Sequence, residues 1–286
     1  ITYQELKETG YVGIEGAPKD VGTYQASITI DNVTASVTYK IVSKKVAYPT
    51  IEVTGTYTYD GTEKTPAVVV KDEINVIPST EYSVSCENNI NAGNATVKIT
   101  DVDGGNYNVS GSTTFTIDKA TITVTPNTDQ KKIYGDEDPT LKYNYAGAVA
   151  GETPAFTGIL SRVEGKNAGE YDIQSGTLAL ADNGSFKAAN YELKLADTPV
   201  QFTIVPKTLS AEDLEFITDT PITKQYDGTT TCTTAKVQIK DNAKADTNDE
   251  VPTVTGTYAY NSANVTEANK VTFTSDMTSN TNYILP

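Results

Sequence analysis

Several turns in this sequence are rich in acidic residues and are candidate metal sites, because carboxylate oxygens bind hard cations such as calcium. Asp101 and Asp103 are spaced like the opening of a calcium loop. Gly105 stands where a third ligand belongs, and no bidentate Glu follows at the right distance. Two further acidic turns contain Asp136 with Asp138, and Asp246 with Asp249 and Glu250. Ordinary turn chemistry accounts for all of them, so we predict no metal and no cofactor.

Tyrosine pairs could form a second kind of site, since the chain has 18 Tyr and no Trp. Tyr143 and Tyr145 point to one face of a predicted strand, and Tyr258 and Tyr260 do the same in another, because alternate strand residues share a face. Two coplanar exposed rings could stack on a sugar. These four tyrosines are therefore the candidate ligand-contacting residues, with packing inside a sheet or core as the competing interpretation.

Composition argues against catalysis and against nucleic-acid binding. The chain has no His, which removes the commonest general base and neutral metal ligand. Its 22 basic and 37 acidic residues give a net charge of -15, which repels phosphate backbones. Cys86 and Cys232 are predicted to stay unpaired, with Cys86 a small core residue on the strand face of Tyr82 and Val84. We predict no enzyme and no nucleic-acid partner.

Recurring motifs organise the chain, and they appear in the same order each time. The first, here called the tyrosine turn, occurs as Tyr59-Asp60-Gly61, Tyr134-Gly135-Asp136 and Tyr226-Asp227-Gly228. The second, the glycine marker, occurs as Asn91-Ala92-Gly93-Asn94, Asn167-Ala168-Gly169-Glu170-Tyr171 and, in partial form, Val21-Gly22-Thr23-Tyr24. The third, the Asn-Tyr motif, occurs as Asn106-Tyr107, Asn190-Tyr191 and Asn282-Tyr283. Turn and core residues are what a repeat array must repeat, so each motif is predicted to be structural.

Together with Phe115-Thr116-Ile117 and Phe202-Thr203-Ile204, these motifs resemble the MBG and YDG modules of large bacterial surface and adhesin-like proteins. The resemblance is strongest over residues 46–207. The last repeat departs from it, with Ser262-Ala263-Asn264-Val265 at the place of the glycine marker. The resemblance implies Ig-like β-sandwich modules without catalytic residues and a place outside the cell or on the bacterial cell surface.

The predicted fold is all-β, a tandem array of small Ig-like β-sandwich modules in an extended arrangement. Repeat 1 (residues 1–45) is a partial module, with a hairpin that turns at Asp31-Asn32. Repeat 2 (46–118) is complete, and repeat 3 (119–206) carries an insertion between Tyr171 and Asn190 that should form a hairpin or long loop. Repeat 4 (207–286) lacks its closing Phe-Thr-Ile strand and opens with a strand or single turn at residues 210–216.

Lysines at the repeat junctions are the last candidates for chemistry. Lys45, Lys119 and Lys207 each lie where one repeat meets the next. A strand lysine can form an isopeptide bond with an asparagine when a buried acid assists. A solvated linker is the simpler interpretation, because lysine is rarely fully buried.

Repetition without catalytic residues predicts a non-catalytic stalk or spacer of a secreted or cell-surface protein, with adhesion as its purpose. Host glycans or extracellular-matrix proteins are the expected partners, and the chain is expected to be monomeric. The alternatives are a carbohydrate-binding module and accessory modules of an extracellular enzyme. No apolar run approaches the ~18 residues of a membrane span. Because the chain begins at Ile1, we expect it to be a piece of a longer precursor.

Overall fold

The computed structural model describes residues 1–217, 221–245 and 251–285, and it is all-β. Within these residues the helical elements are three-residue 3₁₀ turns at Ser79–Glu81, Ala188–Asn190, Ala211–Asp213 and Asp241–Ala243. No helix in this part of the chain is long and apolar enough to cross a membrane. The chain divides into two compact units. The first unit contains Ile1–Thr121, Ala148–Pro154 and Asp182–Glu192, and the second contains Ile122–Gly147, Ala155–Ala181 and Leu193–Pro286.

Repeat 1 is a single antiparallel sheet. Its strands are β1 (Thr2–Lys7), β2 (Gly10–Ile14), β3 (Gly22–Ile30) and β4 (Val33–Ile41), in the order β2-β1-β3-β4. The predicted hairpin is β3-β4, and its turn residues Asp31 and Asn32 have φ of 49° and 65°. A two-residue hairpin turn needs positive φ at both positions, which Asp and Asn tolerate. Strands β1 and β2 were not predicted, because their alternation of apolar and polar residues is weak.

Repeat 2 contains three small sheets. Its strands are β5 (Lys44–Val46), β6 (Thr50–Thr54), β7 (Tyr57–Thr58), β8 (Ala67–Asp72), β9 (Asn75–Val76), β10 (Tyr82–Glu87), β11 (Gly93–Asp101), β12 (Tyr107–Val109) and β13 (Gly111–Asp118). They pair as β6-β8-β9, as β10-β11-β13-β7 and as β12-β5. Alternation on β11 buries Ala95, Val97 and Ile99, as a strand with one core-facing side requires. The closing strand β13 runs parallel to β7, immediately before the tyrosine turn.

Repeat 3 begins with β14 (Ala120–Pro126). The strands that follow are β15 (Lys131–Ile133), β16 (Tyr143–Ala146), β17 (Ala155–Thr157), β18 (Ser161–Arg162), β19 (Gly169–Gln174), β20 (Ala179–Ala181), β21 (Tyr191–Leu195) and β22 (Gln201–Val205). One sheet has the order β15-β22-β19-β18, with β22 again parallel to the strand before the tyrosine turn. The predicted insertion contains β20, which pairs with β17 from earlier in the chain. The extra strand therefore completes a pair with an earlier segment and is not a separate hairpin.

Repeat 4 consists of short paired strands. They are β23 (Lys207–Thr208), β24 (Leu214–Phe216), β25 (Val237–Ile239), β26 (Gly256–Tyr260), β27 (Val271–Ser275) and β28 (Tyr283–Ile284), paired as β23-β28, β24-β25 and β26-β27. Both predictions for residues 210–216 are confirmed, since a 3₁₀ turn precedes β24. A capping box holds that turn: the Ser210 N–H and hydroxyl both donate to the Asp213 carboxylate, at 2.7 and 2.8 Å.

Residues from repeats 3 and 4 share one hydrophobic core in the second unit. The buried members are Val124, Tyr134, Leu141, Leu160, Ile173, Leu178, Phe202, Ile204, Leu209, Ile239, Ala243 and Tyr283. Tyr283 and Phe202 are fully buried, although one belongs to the Asn-Tyr motif of repeat 4 and the other to the closing strand of repeat 3. Burial of large aromatic side chains is a major source of stabilisation, so the two repeats depend on each other for their core.

Candidate functional site

The first candidate tyrosine pair lies on β16 and packs against one phenylalanine. Tyr143 and Tyr145 place their rings 5.5 and 5.0 Å from the ring of Phe156, at interplanar angles of 71° and 52°. Tyr143 is half-buried, and burial raises the pKa of its hydroxyl. Tyr145 keeps 44% of its surface exposed. The two rings share a face as predicted but form a cluster with Phe156, and they leave one exposed ring instead of a flat platform.

The second candidate pair lies on β26. Tyr258 packs against Phe273 with ring centroids 4.9 Å apart, and its hydroxyl accepts a 3.1 Å hydrogen bond from the Val237 N–H. Tyr260 is half-buried, and burial raises the pKa of its hydroxyl, with the neighbouring Cys232 thiol adding to the effect. Lys224 Nζ lies 5.8 Å from the Tyr260 ring centroid. Tyr258 serves packing, whereas Tyr260 lines a surface groove.

The acidic turns carry ordinary structure where they are described. The Asp101 to Asn106 segment is closed by a backbone hydrogen bond from Gly105 to Val102, and Asp103 is exposed. Asp138 accepts two hydrogen bonds from Arg162, at 2.8 and 3.0 Å, and pairs with Lys132. Among the described residues, no group of at least three His, Cys, Asp or Glu could hold a metal ion. The third turn, with Asp246, Asp249 and Glu250, lies outside the described residues.

Arg162 lines a surface groove of the second unit with a volume of about 590 Å³. Its guanidinium carbon lies 4.9 Å from the Tyr171 ring centroid, and its N–H groups also donate to the backbone of Val163 and Gly165. The Asp138 carboxylate is partly desolvated, but the Arg162 and Lys132 hydrogen bonds outweigh that burial and lower its pKa. Arg162 has its hydrogen-bonding groups committed to the protein, so we assign it a structural role.

The two cysteines and the three junction lysines are the remaining candidates from the sequence. Both cysteines are free thiols. Cys232 is buried, but Cys86 is only half-buried, so its predicted place in the core was wrong, because Val84 on the same strand also faces solvent. Partial burial still raises the pKa of the Cys86 thiol. Lys45 and Lys119 are exposed and Lys207 is half-buried, as solvated junctions would place them.

The Asn-Tyr motif of repeat 3 forms the most specific contact in the first unit. Asn190 Oδ1 accepts a 3.0 Å hydrogen bond from the Ala92 N–H of repeat 2, and Asn190 Nδ2 donates to Asn91 Oδ1, also at 3.0 Å. Asn190 is 2% exposed. A buried amide that is bonded on both sides fixes position strongly, because an unpaired partner would cost the full desolvation penalty. The Asn-Tyr motif of one repeat thus binds the glycine marker of the repeat before it.

The adjacent tyrosine covers the tyrosine turn of that preceding repeat. The rings of Tyr191 and Tyr59 meet edge to face, with centroids 5.4 Å apart. Glu152 joins them, since it accepts a 2.5 Å hydrogen bond from the Tyr59 hydroxyl and a 2.8 Å bond from the Tyr191 hydroxyl. Burial is the main cause that raises the pKa of Tyr191 to about 12, and the Glu152 carboxylate adds to it. The pKa of Tyr59 is raised for the same reasons.

The second unit repeats this arrangement between repeats 3 and 4. Asn282 Oδ1 accepts from the Ala168 N–H at 2.8 Å, and Asn282 Nδ2 donates to Asn167 Oδ1 at 3.2 Å. The ring of Tyr283 meets that of Tyr134 edge to face, with centroids 5.5 Å apart. The geometry matches that of Asn190 and Tyr191, although the two sites share no residues.

The first unit contains a third, partial copy between repeats 1 and 2. Asn106 Oδ1 accepts from the Val21 N–H at 2.7 Å, and Asn106 Nδ2 donates to Asp20 Oδ1 at 3.0 Å. Repeat 1 has no tyrosine turn, and Tyr107 is only half-buried. The asparagine contact is therefore common to all three sites, whereas the tyrosine contact requires a tyrosine turn in the preceding repeat.

Sequence reasoning assigned these motifs to turns and cores but missed the contact between repeats. A tyrosine corner is a tyrosine hydroxyl that donates to a backbone carbonyl a few residues upstream. In the structure Tyr59 bonds Glu152, and the corner is made by the tyrosine of the glycine marker: the Tyr24 and Tyr171 hydroxyls donate to the carbonyls of Asp20 and Asn167, at 2.9 and 2.7 Å. The constant Asn before Tyr was the available signal, because core packing alone needs no amide.

These contacts and the strand content define the class of protein, an all-β chain of small repeated modules in which each Asn-Tyr motif binds the preceding module. Residues 122–200 match the family model of the MBG domain (YGX type), and residues 206–286 match that of the YDG domain. The chain therefore contains two adjacent MBG/YDG-type modules, as the motifs predicted, and such domains are found in surface-type proteins. No curated protein and no solved structure matches the chain.

Proposed function

We propose that this chain is a non-catalytic spacer segment of a bacterial secreted or cell-surface protein, and that it serves adhesion by holding a binding partner away from the surface. The observation that carries the proposal is the asparagine contact made by Asn106, Asn190 and Asn282. A spacer must keep its length, and at all three contacts an amide with two hydrogen bonds ties one repeat to the repeat before it. Extracellular location and a monomeric state belong to the same proposal.

Small-angle scattering of the whole chain tests the spacer function. A compact domain of this length would have a radius of gyration of about 19 Å. A spacer is expected to exceed that value clearly and to keep it in moderate salt. A radius near 19 Å would contradict the proposal, because a chain that folds back on itself cannot hold two partners apart.

A carbohydrate-binding function is the second candidate, favoured by the exposed ring of Tyr145 beside Phe156. Saturable binding to one member of a panel of glycans and matrix proteins, lost in Tyr145→Ala, would support it. Tyr48→Ala is the matched control, since Tyr48 is 92% exposed and belongs to neither tyrosine pair. Absence of binding by folded protein would leave the spacer function alone.

A further inference from the structure

The tyrosine turn of repeat 4 is built like that of repeat 2 but is left uncovered. Asp227 Oδ1 accepts from the Thr229 N–H and hydroxyl, both at 2.8 Å, just as Asp60 Oδ1 accepts from Thr62 at 2.8 and 2.6 Å. A lysine pairs with each carboxylate. The tyrosine of the turn is nevertheless exposed in repeat 4 and buried in the other two repeats. Tyr226 is 69% exposed, whereas Tyr59 is 6% and Tyr134 is 5% exposed.

Tyr226 is exposed because no ring from a following repeat covers it among the described residues. Tyr59 and Tyr134 are covered by the rings of Tyr191 and Tyr283, which come from the Asn-Tyr motif of the next repeat. Beside Tyr226 lies a groove of about 210 Å³, open to solvent. Its lining includes Lys224, Tyr226, Tyr260, Ser262, Ala263 and Val265. Tyr226 and the segment at the place of the glycine marker therefore face one groove.

The groove also contains a backbone donor at the place of the glycine marker. Asn264-Val265 belongs to the segment at the place of the glycine marker, where Ala92 and Ala168 donate their N–H groups to an asparagine of the next repeat. Val265 is 75% exposed. Among the described residues its N–H donates no hydrogen bond, so the donor that an incoming asparagine oxygen would need is available.

The segment before the turn also has unpaired backbone. In repeats 2 and 3 the N–H of the turn tyrosine donates to the closing strand, from Tyr59 to Asp118 and from Tyr134 to Val205, both at 2.9 Å. Residues 222–226 belong to no strand, and within the described part of the chain the Tyr226 N–H has no acceptor. An unpaired edge of this kind can accept an added strand.

We propose that the groove at Tyr226 binds the Asn-Tyr motif of a further MBG/YDG-type module, and that a closing strand like β13 or β22 pairs with residues 222–226. This inference rests on the proposed spacer function and names its partner. A second copy of this chain is not the occupant, because Asn106, Asn190 and Asn282 are each already bonded within their own chain. The partner chemistry is a buried primary amide followed by a phenol ring, presented next to an extended strand.

The test extends the full chain by a second copy of residues 111–286, joined directly after Pro286. This joint keeps the spacing from an Asn-Tyr motif to a closing strand, since Gly111 lies five residues after Asn106 just as it would after Asn282. The appended copy carries Tyr226→Phe, so that nitration by tetranitromethane reports only the resident Tyr226. In the original chain, we expect Tyr226 to be nitrated as readily as the exposed Tyr48. In the extension, its nitration should be lost, as at Tyr59.

The matched control is the same extension with Asn190→Ala in the appended copy. This variant should restore nitration of the resident Tyr226, and resistance to limited proteolysis checks that the appended repeats remain folded. If Tyr226 stays reactive in a protease-resistant extension, the proposed groove is overturned. The spacer function would then stand or fall separately, because the radius of gyration of the original chain does not depend on the reactivity of Tyr226.

Discussion

The tyrosine turns of repeats 2 and 4 fold alike but lie in opposite environments. Both place Gly at positive φ, 78° at Gly61 and 72° at Gly228, and both bind a Thr two residues after the Asp. Tyr59 is buried while Tyr226 is exposed. Local sequence therefore determines the conformation of the turn, whereas packing by the next repeat determines whether the tyrosine ring of the turn is buried. The motif is therefore half of a junction, and its other half is the Asn-Tyr motif of a neighbour.

The largest expected difference between the two turns is in the free energy of unfolding. Tyr59→Ala removes a buried ring and leaves Glu152 without one of its two donors, so it should destabilise the first unit by about 3–5 kcal/mol. Tyr226→Ala should stay within about 0.5 kcal/mol, as exposed substitutions do. Both changes in the free energy of unfolding can be measured by urea unfolding of the full chain, with hydrogen exchange as the readout. Equal losses would mean that the ring is not covered by a neighbour at Tyr59.

Alkaline pH should weaken the covered junction next. Burial raises the pKa of Tyr191 from 10.0 to about 12, so the folded state holds a proton that the unfolded state releases first. The stabilisation is complete below pH 10 and is lost as the pH rises toward 12, by roughly 2–3 kcal/mol. Unfolding free energies measured between pH 8 and 12 should show this fall.

The control for this pH dependence is Tyr191→Phe, which keeps the ring and removes the titrating hydroxyl. That variant is expected to lose less stability over the same interval, even if it starts lower because Glu152 and Val149 lose a partner. Tyr226→Phe should leave the pH profile as it is in the original chain. An unchanged profile in Tyr191→Phe would place the alkaline transition elsewhere.

The sequence alone predicted those features of the fold that depend on contacts between residues close together in the chain. Alternation and the Asp31-Asn32 turn were enough for the hairpin β3-β4, and the local sequence of residues 210–216 was enough for a strand or single turn there. Glu152 could not be found, because it lies in a loop far from both tyrosines it joins. The exposure of Tyr226 was equally hidden, since the same motif is buried or exposed according to what packs on it.

Asn190→Ala should have a smaller effect than loss of a ring, at about 1–2 kcal/mol, because it removes the hydrogen-bond partner of the half-buried Ala92 N–H and of Asn91 Oδ1. Asn264→Ala is the matched control in repeat 4, where the exposed side chain donates to the nearby Glu267 carboxylate. Hydrogen exchange at Ala92 gives a direct readout, and its amide should exchange faster in the Asn190 variant. An Ala92 amide that remains protected would show that another group satisfies it.

The smallest expected difference comes from the glycines of the turns. A Cβ on Gly135 would lie 2.5 Å from Ala245 Cβ of repeat 4, whereas on Gly228 its nearest neighbour is the Tyr226 hydroxyl at 4.0 Å. Both glycines have positive φ, 91° at Gly135 and 72° at Gly228, so the backbone strain introduced by Gly→Ala should be similar at the two sites. Gly135→Ala should therefore exceed Gly228→Ala by about 1 kcal/mol, the low end of overpacking costs. Equal losses would mean that the backbones can separate at the Gly135 contact without loss, so that this close approach does not contribute to the junction.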